Sequence, residues 1–207
     1  MALKLIRYSA WAAVFLIAVS VGVSSVLWYQ QSDPATATAA VKVGGDFSLV
    51  DTNGTRVTEA DYLGKPRAMF FGFTHCPDVC PTTLYEASGW LQALGPEADK
   101  LSVMFISVDP ERDTPEVLKD YISAFEGGIV GLTGSSAEVE AVIKAYRVYA
   151  RKVETDDGDY TVDHTASVYL MDENGKFSGS IRYQEDHDVA VEKLRKLIAK
   201  SEAAQNG

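Results

Sequence analysis

Cys76 and Cys80 are the only two cysteines in the 207-residue chain. They lie four positions apart in the segment FTHCPDVCP, residues 73–81, and each is followed by a proline, Pro77 or Pro81. An apolar, strand-like run precedes them. The two prolines favour a helix start here, because proline is tolerated in the first turn of a helix. Sulfurs at i and i+4 then share one face, where they can oxidise together or bind one soft metal ion. The N–H groups and dipole of a helix N-terminus also favour thiolate, the reactive and ligating form.

A purely structural disulfide is the alternative interpretation of this pair. Closing a loop of about five residues would contribute only about 2 kcal/mol to stability. The chain that follows the N-terminal segment, about 165 residues, is long enough to form a hydrophobic core without such a bridge. The sequence therefore favours a reactive dithiol, a metal site, or both.

Residues 10–29 are predicted to form a transmembrane anchor. No charged residue occurs from Ala10 to Leu27, and this run is long enough to cross a bilayer and longer than a typical signal-peptide core. A signal peptide cleaved near Ala37 is the alternative. Residues 1–9 carry only the positive charges of Lys4 and Arg7, which indicates a cytoplasmic N-terminus. The sequence thus predicts a single-pass protein of a bacterial inner membrane, with its C-terminal domain in the periplasm.

The remaining chain divides into a tether and one acidic domain. Residues 30–41 are rich in Ala and Thr without apolar periodicity and are predicted to be a linker, followed by a domain over residues 42–207. The net charge of the whole chain is −10, and it is −12 for the part that follows Lys4 and Arg7. Such a charge disfavours nucleic acid and anionic lipid as partners, and it favours basic proteins.

Strand-like and helical segments alternate along the domain, which predicts an α/β fold. Two hairpins are predicted, one around Thr52-Asn53-Gly54 and one around Asp172-Glu173-Asn174-Gly175. Strands are predicted at Arg67 to Phe73, Leu101 to Val108 and Ile129 to Leu132, and helical segments at Thr82 to Leu94, Pro115 to Phe125, Ser135 to Tyr149 and Asp188 to Ala203. This order of elements describes a thioredoxin-like fold with an N-terminal hairpin, preceded by the transmembrane helix.

Three segments of the domain resemble the SCO/SenC family of copper-handling proteins. They are FGFTHCPDVCPT at residues 71–82, SVDPERDTP at residues 107–115 and VDHTA at residues 162–166. The resemblance implies a copper site formed by Cys76, Cys80 and His164, with His164 in a loop just before the strand Ser167 to Met171. Two thiolates suit Cu(I), and an added imidazole allows Cu(II) as well.

Other polar residues near these motifs are expected to have supporting roles. His75 is expected to be structural or electrostatic, because neighbouring residues at a strand end point to opposite faces. His187 is expected in a solvated turn and helix cap, and Asp78 is expected to cap the helix after the cysteines. The segment Asp109 to Pro115 is expected to fix a loop and start a helix, and a contribution to partner binding is the alternative.

Two functions of different classes follow from the site and the resemblance. The first is a metallochaperone that receives copper from a periplasmic donor and delivers it to the dinuclear copper site of cytochrome c oxidase subunit II. The second is a thiol-disulfide oxidoreductase, in which Cys76 and Cys80 form a redox-active pair that reduces the cysteines of the recipient and is itself restored by a thiol reductant. A peroxiredoxin-like peroxidase is a weaker third alternative, because Thr74 lies two residues before Cys76 instead of three.

Overall fold

The computed structural model describes residues 15–25 and 42–205. Residues 15–25 are helical and belong to a unit separate from the domain that begins at Val43. Within the described ranges, no helix has both the length and the apolar character needed to cross a bilayer. The predicted N-terminus at residues 1–9, the predicted tether at residues 30–41 and both ends of the predicted anchor lie outside the described residues.

A seven-stranded mixed sheet forms the centre of the domain. Its strands are β1 Ser48–Asp51, β2 Arg56–Thr58, β3 Arg67–Gly72, β4 Ser102–Ser107, β5 Val130–Thr133, β8 Val168–Met171 and β9 Phe177–Ile181. Their order in the sheet is β2-β1-β5-β4-β3-β8-β9, in which the three central strands β5, β4 and β3 are parallel and the outer pairings are antiparallel. All six residues of β3 are buried, as expected for a central strand covered on both faces.

Four α-helices accompany the sheet, and two of them have clear start signals. They are α1 Val79–Leu94, α2 Pro115–Ile122, α3 Ser136–Ala145 and α4 His187–Gln205, with short 3-10 helices at Glu59–Tyr62 and Gly95–Lys100. Thr114 caps α2 by accepting a hydrogen bond from the backbone of Val117, and Pro115 occupies the first helical position. Ser135 and Glu138 form a capping box at the start of α3.

Both predicted hairpins are observed, each with a glycine in the left-handed region at its turn. Gly54 has a φ of 77° in the β1–β2 turn, and Gly175 has a φ of 74° in the β8–β9 turn. The third predicted helical segment is too long, because α3 ends at Ala145 and Arg147 has a φ of 55°, which is incompatible with a continuing helix.

A third hairpin was not predicted from the sequence. Strands β6 (Ala150–Glu154) and β7 (Tyr160–His164) pair with each other in a separate two-stranded sheet. The expected position of His164 in a loop is therefore wrong: it is the last residue of β7 and pairs with Ala150. Most residues of β6 are exposed and charged, so this strand lacks the apolar alternation that identifies strands in a sequence.

Candidate metal centre

The two cysteines lie on either side of the start of α1. Cys80 is the second residue of the helix and is buried, whereas Cys76 precedes the helix and is partly buried. The backbone N–H of Cys80 donates a hydrogen bond to the sulfur of Cys76 at 3.4 Å. The helix start thus brings the two sulfurs together, as predicted from the positions of Pro77 and Pro81.

Gly72, the last residue of β3, allows Cys80 to approach the sheet closely. A Cβ atom at this position would lie 2.6 Å from the Cys80 sulfur and 2.8 Å from a ring carbon of Phe105. Both distances are far below van der Waals contact, so a side chain at position 72 would displace the sulfur or the ring. The sheet therefore forms a tight wall behind Cys80.

Asp113 holds the beginning of the cysteine loop. Its buried carboxylate accepts hydrogen bonds from the Thr74 hydroxyl at 2.7 Å, the Thr74 backbone N–H at 3.2 Å and the Ser107 hydroxyl at 2.6 Å. Burial raises the pKa of Asp113, and these hydrogen bonds oppose that shift. The segment Asp109 to Pro115 thus fixes loop geometry and starts α2, as expected from the sequence.

His164 completes a group of three ligand atoms. Its Nε2 lies 3.4 Å from the Cys80 sulfur, and its Nδ1 lies 3.0 Å from the backbone carbonyl of Thr165. Because a carbonyl can only accept, Nδ1 carries the proton and Nε2 presents its lone pair to the cysteines. Phe70 and Phe73 contact the imidazole with ring centroids 5.9 and 5.8 Å away, which restricts its rotation.

The geometry of this group suits one metal ion. The Cys76, Cys80 and His164 ligand atoms all lie within 4.8 Å of one another, and no other group of this kind occurs among the described residues. One point therefore lies within about 2.8 Å of all three atoms. Metal–sulfur and metal–nitrogen bonds are about 2.3 and 2.0 Å long. Movements of less than about 1 Å would thus be enough to bind one ion with all three ligands.

The two thiols differ strongly in acidity. A hydrogen bond with the Cys80 thiol lowers the pKa of Cys76 to about 3 against the opposing effect of burial, with further help from the backbone N–H groups of Asp78 and Cys80. Burial, and then the neighbouring Cys76, raise the pKa of Cys80. In the metal-free protein, Cys76 is therefore the nucleophilic thiolate and Cys80 is the buried thiol that supports it.

The other candidate residues lie outside this group of ligand atoms. His75 is exposed, and its Nδ1 lies 3.1 Å from the Thr74 hydroxyl. His187 is exposed at the first position of α4, in agreement with the expected helix-end position. Asp78 occupies the N-cap position of α1, but its side chain makes no capping bond to the helix backbone. Its carboxylate instead accepts a long hydrogen bond of 3.4 Å from the Thr82 hydroxyl.

Tyr160 and Thr165 support the site, and neither residue was predicted from the sequence to do so. Tyr160 contacts Asp109 and Arg112 from strand β7, and the Thr165 carbonyl orients His164. The turn segment Thr155-Asp156-Asp157-Gly158 before Tyr160-Thr161-Val162 is the signal that could have revealed the hairpin. Nothing local in the sequence marks the contacts with Asp109 and Arg112.

Fold and site together define a thioredoxin-like protein that carries a Cys-Cys-His centre. Comparison with known proteins identifies the family of this protein. The SCO1/SenC family model matches residues 35–199, and the chain belongs to this family. It is 37% identical to Saccharomyces cerevisiae SCO2 over an alignment that covers 94% of this chain and 69% of that protein. It is 45% identical to the human SCO1 homologue over 138 residues, which cover 65% of this chain but only 46% of that protein.

Solved structures give the same assignment. Bradyrhizobium japonicum ScoI with copper bound is 52% identical, with a TM-score of 0.70 over 75% of this chain and 99% of that chain. Yeast Sco1 with copper bound is 39% identical, with a TM-score of 0.70 over 76% of this chain and 89% of that chain. These similarities confirm the predicted thioredoxin-like Sco fold and the family resemblance of the three sequence segments.

The unequal acidity of the thiols predicts selective alkylation. In reduced, metal-free protein, iodoacetamide should label Cys76 well before Cys80, at a rate that changes little between about pH 5 and pH 8. The reason is that a lowered pKa keeps Cys76 ionised throughout this range, whereas an ordinary thiol slows about tenfold for each pH unit below its pKa of about 8.5. Peptide mass spectrometry after short labelling pulses measures both rates.

Cys80→Ala provides the matched control for this experiment. Without the Cys80 thiol, the Cys76 thiolate loses its main stabilising hydrogen bond, and its labelling should fall with decreasing pH like that of an ordinary cysteine. Equal labelling of both cysteines in the unchanged protein would contradict the assigned asymmetry.

Proposed function

We propose that this protein is a copper chaperone that binds one copper ion through Cys76, Cys80 and His164. The observation that carries the proposal is the convergence of these three ligand atoms from two distant parts of the chain. Family membership adds support, because the Sco proteins of Bradyrhizobium japonicum and yeast have been solved with copper bound. The proposed recipient is the dinuclear copper site of cytochrome c oxidase subunit II, as the family resemblance implies.

The ligand set suits both oxidation states of copper. Two thiolates satisfy the soft ion Cu(I), which accepts low coordination numbers, and the imidazole supplies the nitrogen that Cu(II) prefers. The His164 ring needs no proton rearrangement for binding, because its Nδ1–H donates to the Thr165 carbonyl and leaves Nε2 free. Cys80 must lose its proton when the ion binds, so that metal loading is coupled to proton release.

The unequal burial of the ligands suits transfer to a partner. Cys76 is partly exposed, whereas Cys80 is buried against the sheet. An incoming thiolate of a recipient can therefore replace Cys76 first while Cys80 and His164 still hold the ion. Stepwise exchange of ligands moves copper without releasing it to water.

Thiol-disulfide exchange is the second candidate function, and the partly exposed Cys76 thiolate next to the Cys80 thiol favours it. In this reaction Cys76 attacks a recipient disulfide, forms a mixed disulfide and releases one recipient thiolate. Cys80 then loses its proton and attacks the Cys76 sulfur of the mixed disulfide, which releases the second recipient thiolate, and the proton passes to one of the two released thiolates. The recipient is reduced by two electrons and the Cys76–Cys80 pair is oxidised. This chemistry has no use for His164, so we place it second to copper transfer.

We further propose that residues 10–29 anchor the protein in a bacterial inner membrane with the domain in the periplasm. The uncharged run between Ala10 and Leu27 and the basic residues Lys4 and Arg7 support this topology. In an oxidising compartment the cysteine pair can form a disulfide, which must be reduced before copper can bind. A periplasmic copper donor or thiol reductant is therefore the expected upstream partner.

Single substitutions of the proposed ligands should separate their roles. Cys76→Ser and Cys80→Ser should each lower Cu(I) affinity by more than about 100-fold, because a hard hydroxyl replaces a soft thiolate poorly. His164→Ala should reduce Cu(II) affinity more than Cu(I) affinity, since two thiolates still bind Cu(I). Competition against chelators of each ion measures these changes, with the exposed His75→Ala as the control. A Cys→Ser variant with unchanged Cu(I) affinity would refute the site.

Copper loading and disulfide formation should exclude each other. Both require Cys76 and Cys80, and a disulfide leaves no thiolate for the metal. Native mass spectrometry without oxygen should detect one Cu(I) on the reduced protein and none on the oxidised protein, and the bound copper should protect both cysteines from alkylation. Equal loading of the two samples would place copper elsewhere and favour the oxidoreductase function.

The anchor proposal predicts where the intact protein fractionates. The full-length protein should stay with membranes after alkaline carbonate washing, and external protease should digest its domain in spheroplasts. These results follow from a single span with the N-terminus inside. A soluble product that begins near Thr38 would instead show cleavage, and it would leave the copper site unaffected.

A further inference from the structure

The position of His164 depends on a hairpin that is separate from the main sheet. Strands β6 and β7 pair only with each other in the described part of the chain, so no strand ladder connects His164 to β3, β4 or β8. The two cysteines at the start of α1 and a histidine on a separate hairpin can form one site only if other contacts fix the hairpin. Side-chain contacts from the loop after β4 provide that connection.

Asp109, Arg112 and Tyr160 form this connection, and we call them the latch. The Tyr160 hydroxyl donates to one oxygen of the buried Asp109 carboxylate at 2.9 Å, and the Arg112 Nε donates to the other oxygen at 2.5 Å. Arg112 Nη1 also donates to the Tyr160 backbone carbonyl at 3.0 Å. The guanidinium lies 3.8 Å from the centroid of the Tyr160 ring, within the range of a cation–π interaction.

Two paths lead from the latch to His164. Residues 160, 162 and 164 share one face of β7 because side chains alternate along a strand, and Val162 between the other two is buried in the core. The Arg112 guanidinium also lies 5.7 Å from the centroid of the Phe73 ring, and this ring contacts the His164 imidazole edge-on at 5.8 Å. The latch therefore holds the strand that bears the imidazole and touches the ring that restrains it.

We propose that the latch residues are positioning residues that keep His164 beside Cys80 and so determine how well the site holds Cu(II). This inference rests on the proposed copper function. Cu(I) needs only the two thiolates, which the loop after β3 and α1 position without the hairpin. Loosening the hairpin therefore removes the nitrogen ligand and weakens Cu(II) selectively. The latch acts at a distance from the metal, as do the residues that orient metal ligands in other sites.

Tyr160 is the best residue for the test. Removing Arg112 would leave the buried Asp109 carboxylate without its cation, which is strongly destabilising and would confuse the result. Tyr160→Ala removes the ring and one hydrogen bond but keeps the Arg112–Asp109 pair. Tyr160→Phe keeps the ring on the guanidinium and removes only the hydroxyl. Tyr85→Ala, at an exposed tyrosine on α1 outside the latch, is the matched control.

The first measurement uses the metal-free full-length protein. Hydrogen exchange measured by mass spectrometry should be faster across residues 150–164 in Tyr160→Ala than in the unchanged protein, with no change across β4. Tyr85→Ala should leave both regions unchanged. Unaltered exchange of the hairpin in Tyr160→Ala would overturn the proposal, because the latch would then not hold it.

The second measurement compares the two copper ions. Tyr160→Ala should lower Cu(II) affinity by about 10- to 100-fold, with a smaller loss in Tyr160→Phe, and change Cu(I) affinity by less than about threefold. The nitrogen hyperfine signal in the Cu(II) electron paramagnetic resonance spectrum should weaken in parallel. Unchanged Cu(II) affinity and spectrum, or equal losses for both ions, would overturn the proposal. Failure of the unchanged protein to bind either ion would instead refute the proposed function, and the exchange measurement would still decide whether the latch holds the hairpin.

Discussion

The parallel pairing of β3 with β4 is the constraint on which the rest of the site depends. The two strands pair over their full length, starting with Arg67 opposite Ser102. Because parallel strands end at the same edge of a sheet, the cysteine loop after β3 lies beside the loop after β4. From that second loop, Asp113 holds Thr74 at the base of the cysteine loop, and its neighbours hold Tyr160 on the hairpin. One strand pairing thus organises both halves of the centre.

The centre combines a reactive and a protected sulfur. Cys76 is ionised at neutral pH and partly exposed, whereas Cys80 is protonated and buried against Gly72. This division serves ligand exchange and disulfide exchange equally well, since both begin with an accessible thiolate. His164 distinguishes copper binding from disulfide exchange, because it can supply a nitrogen ligand to a metal ion and is not needed for thiol-disulfide exchange.

Local features of the sequence predicted most of the fold and two of the three ligands of the site. The cysteine pair, the helix start at Pro77 and Pro81 and both glycine-marked hairpins depend on neighbouring residues, so the sequence was enough to find them. His164 was assigned through family resemblance, and its loop position was wrong because the charged strand β6 gives no apolar pattern. The hydrogen bond between Tyr160 and Asp109 joins residues 51 positions apart, and no local feature of the sequence indicates it.

The close packing of the sheet against Cys80 limits how another molecule can reach the two sulfurs. Gly72 and Phe105 close the sheet side, and Phe70 and Phe73 flank His164, so that Cys76 is the more accessible of the two sulfurs. On the proposed copper function, a thiolate that brings copper and a thiolate that removes it would both meet Cys76 before Cys80. A donor and an acceptor of this kind would compete for one surface, and the protein would have to release the first before it could bind the second.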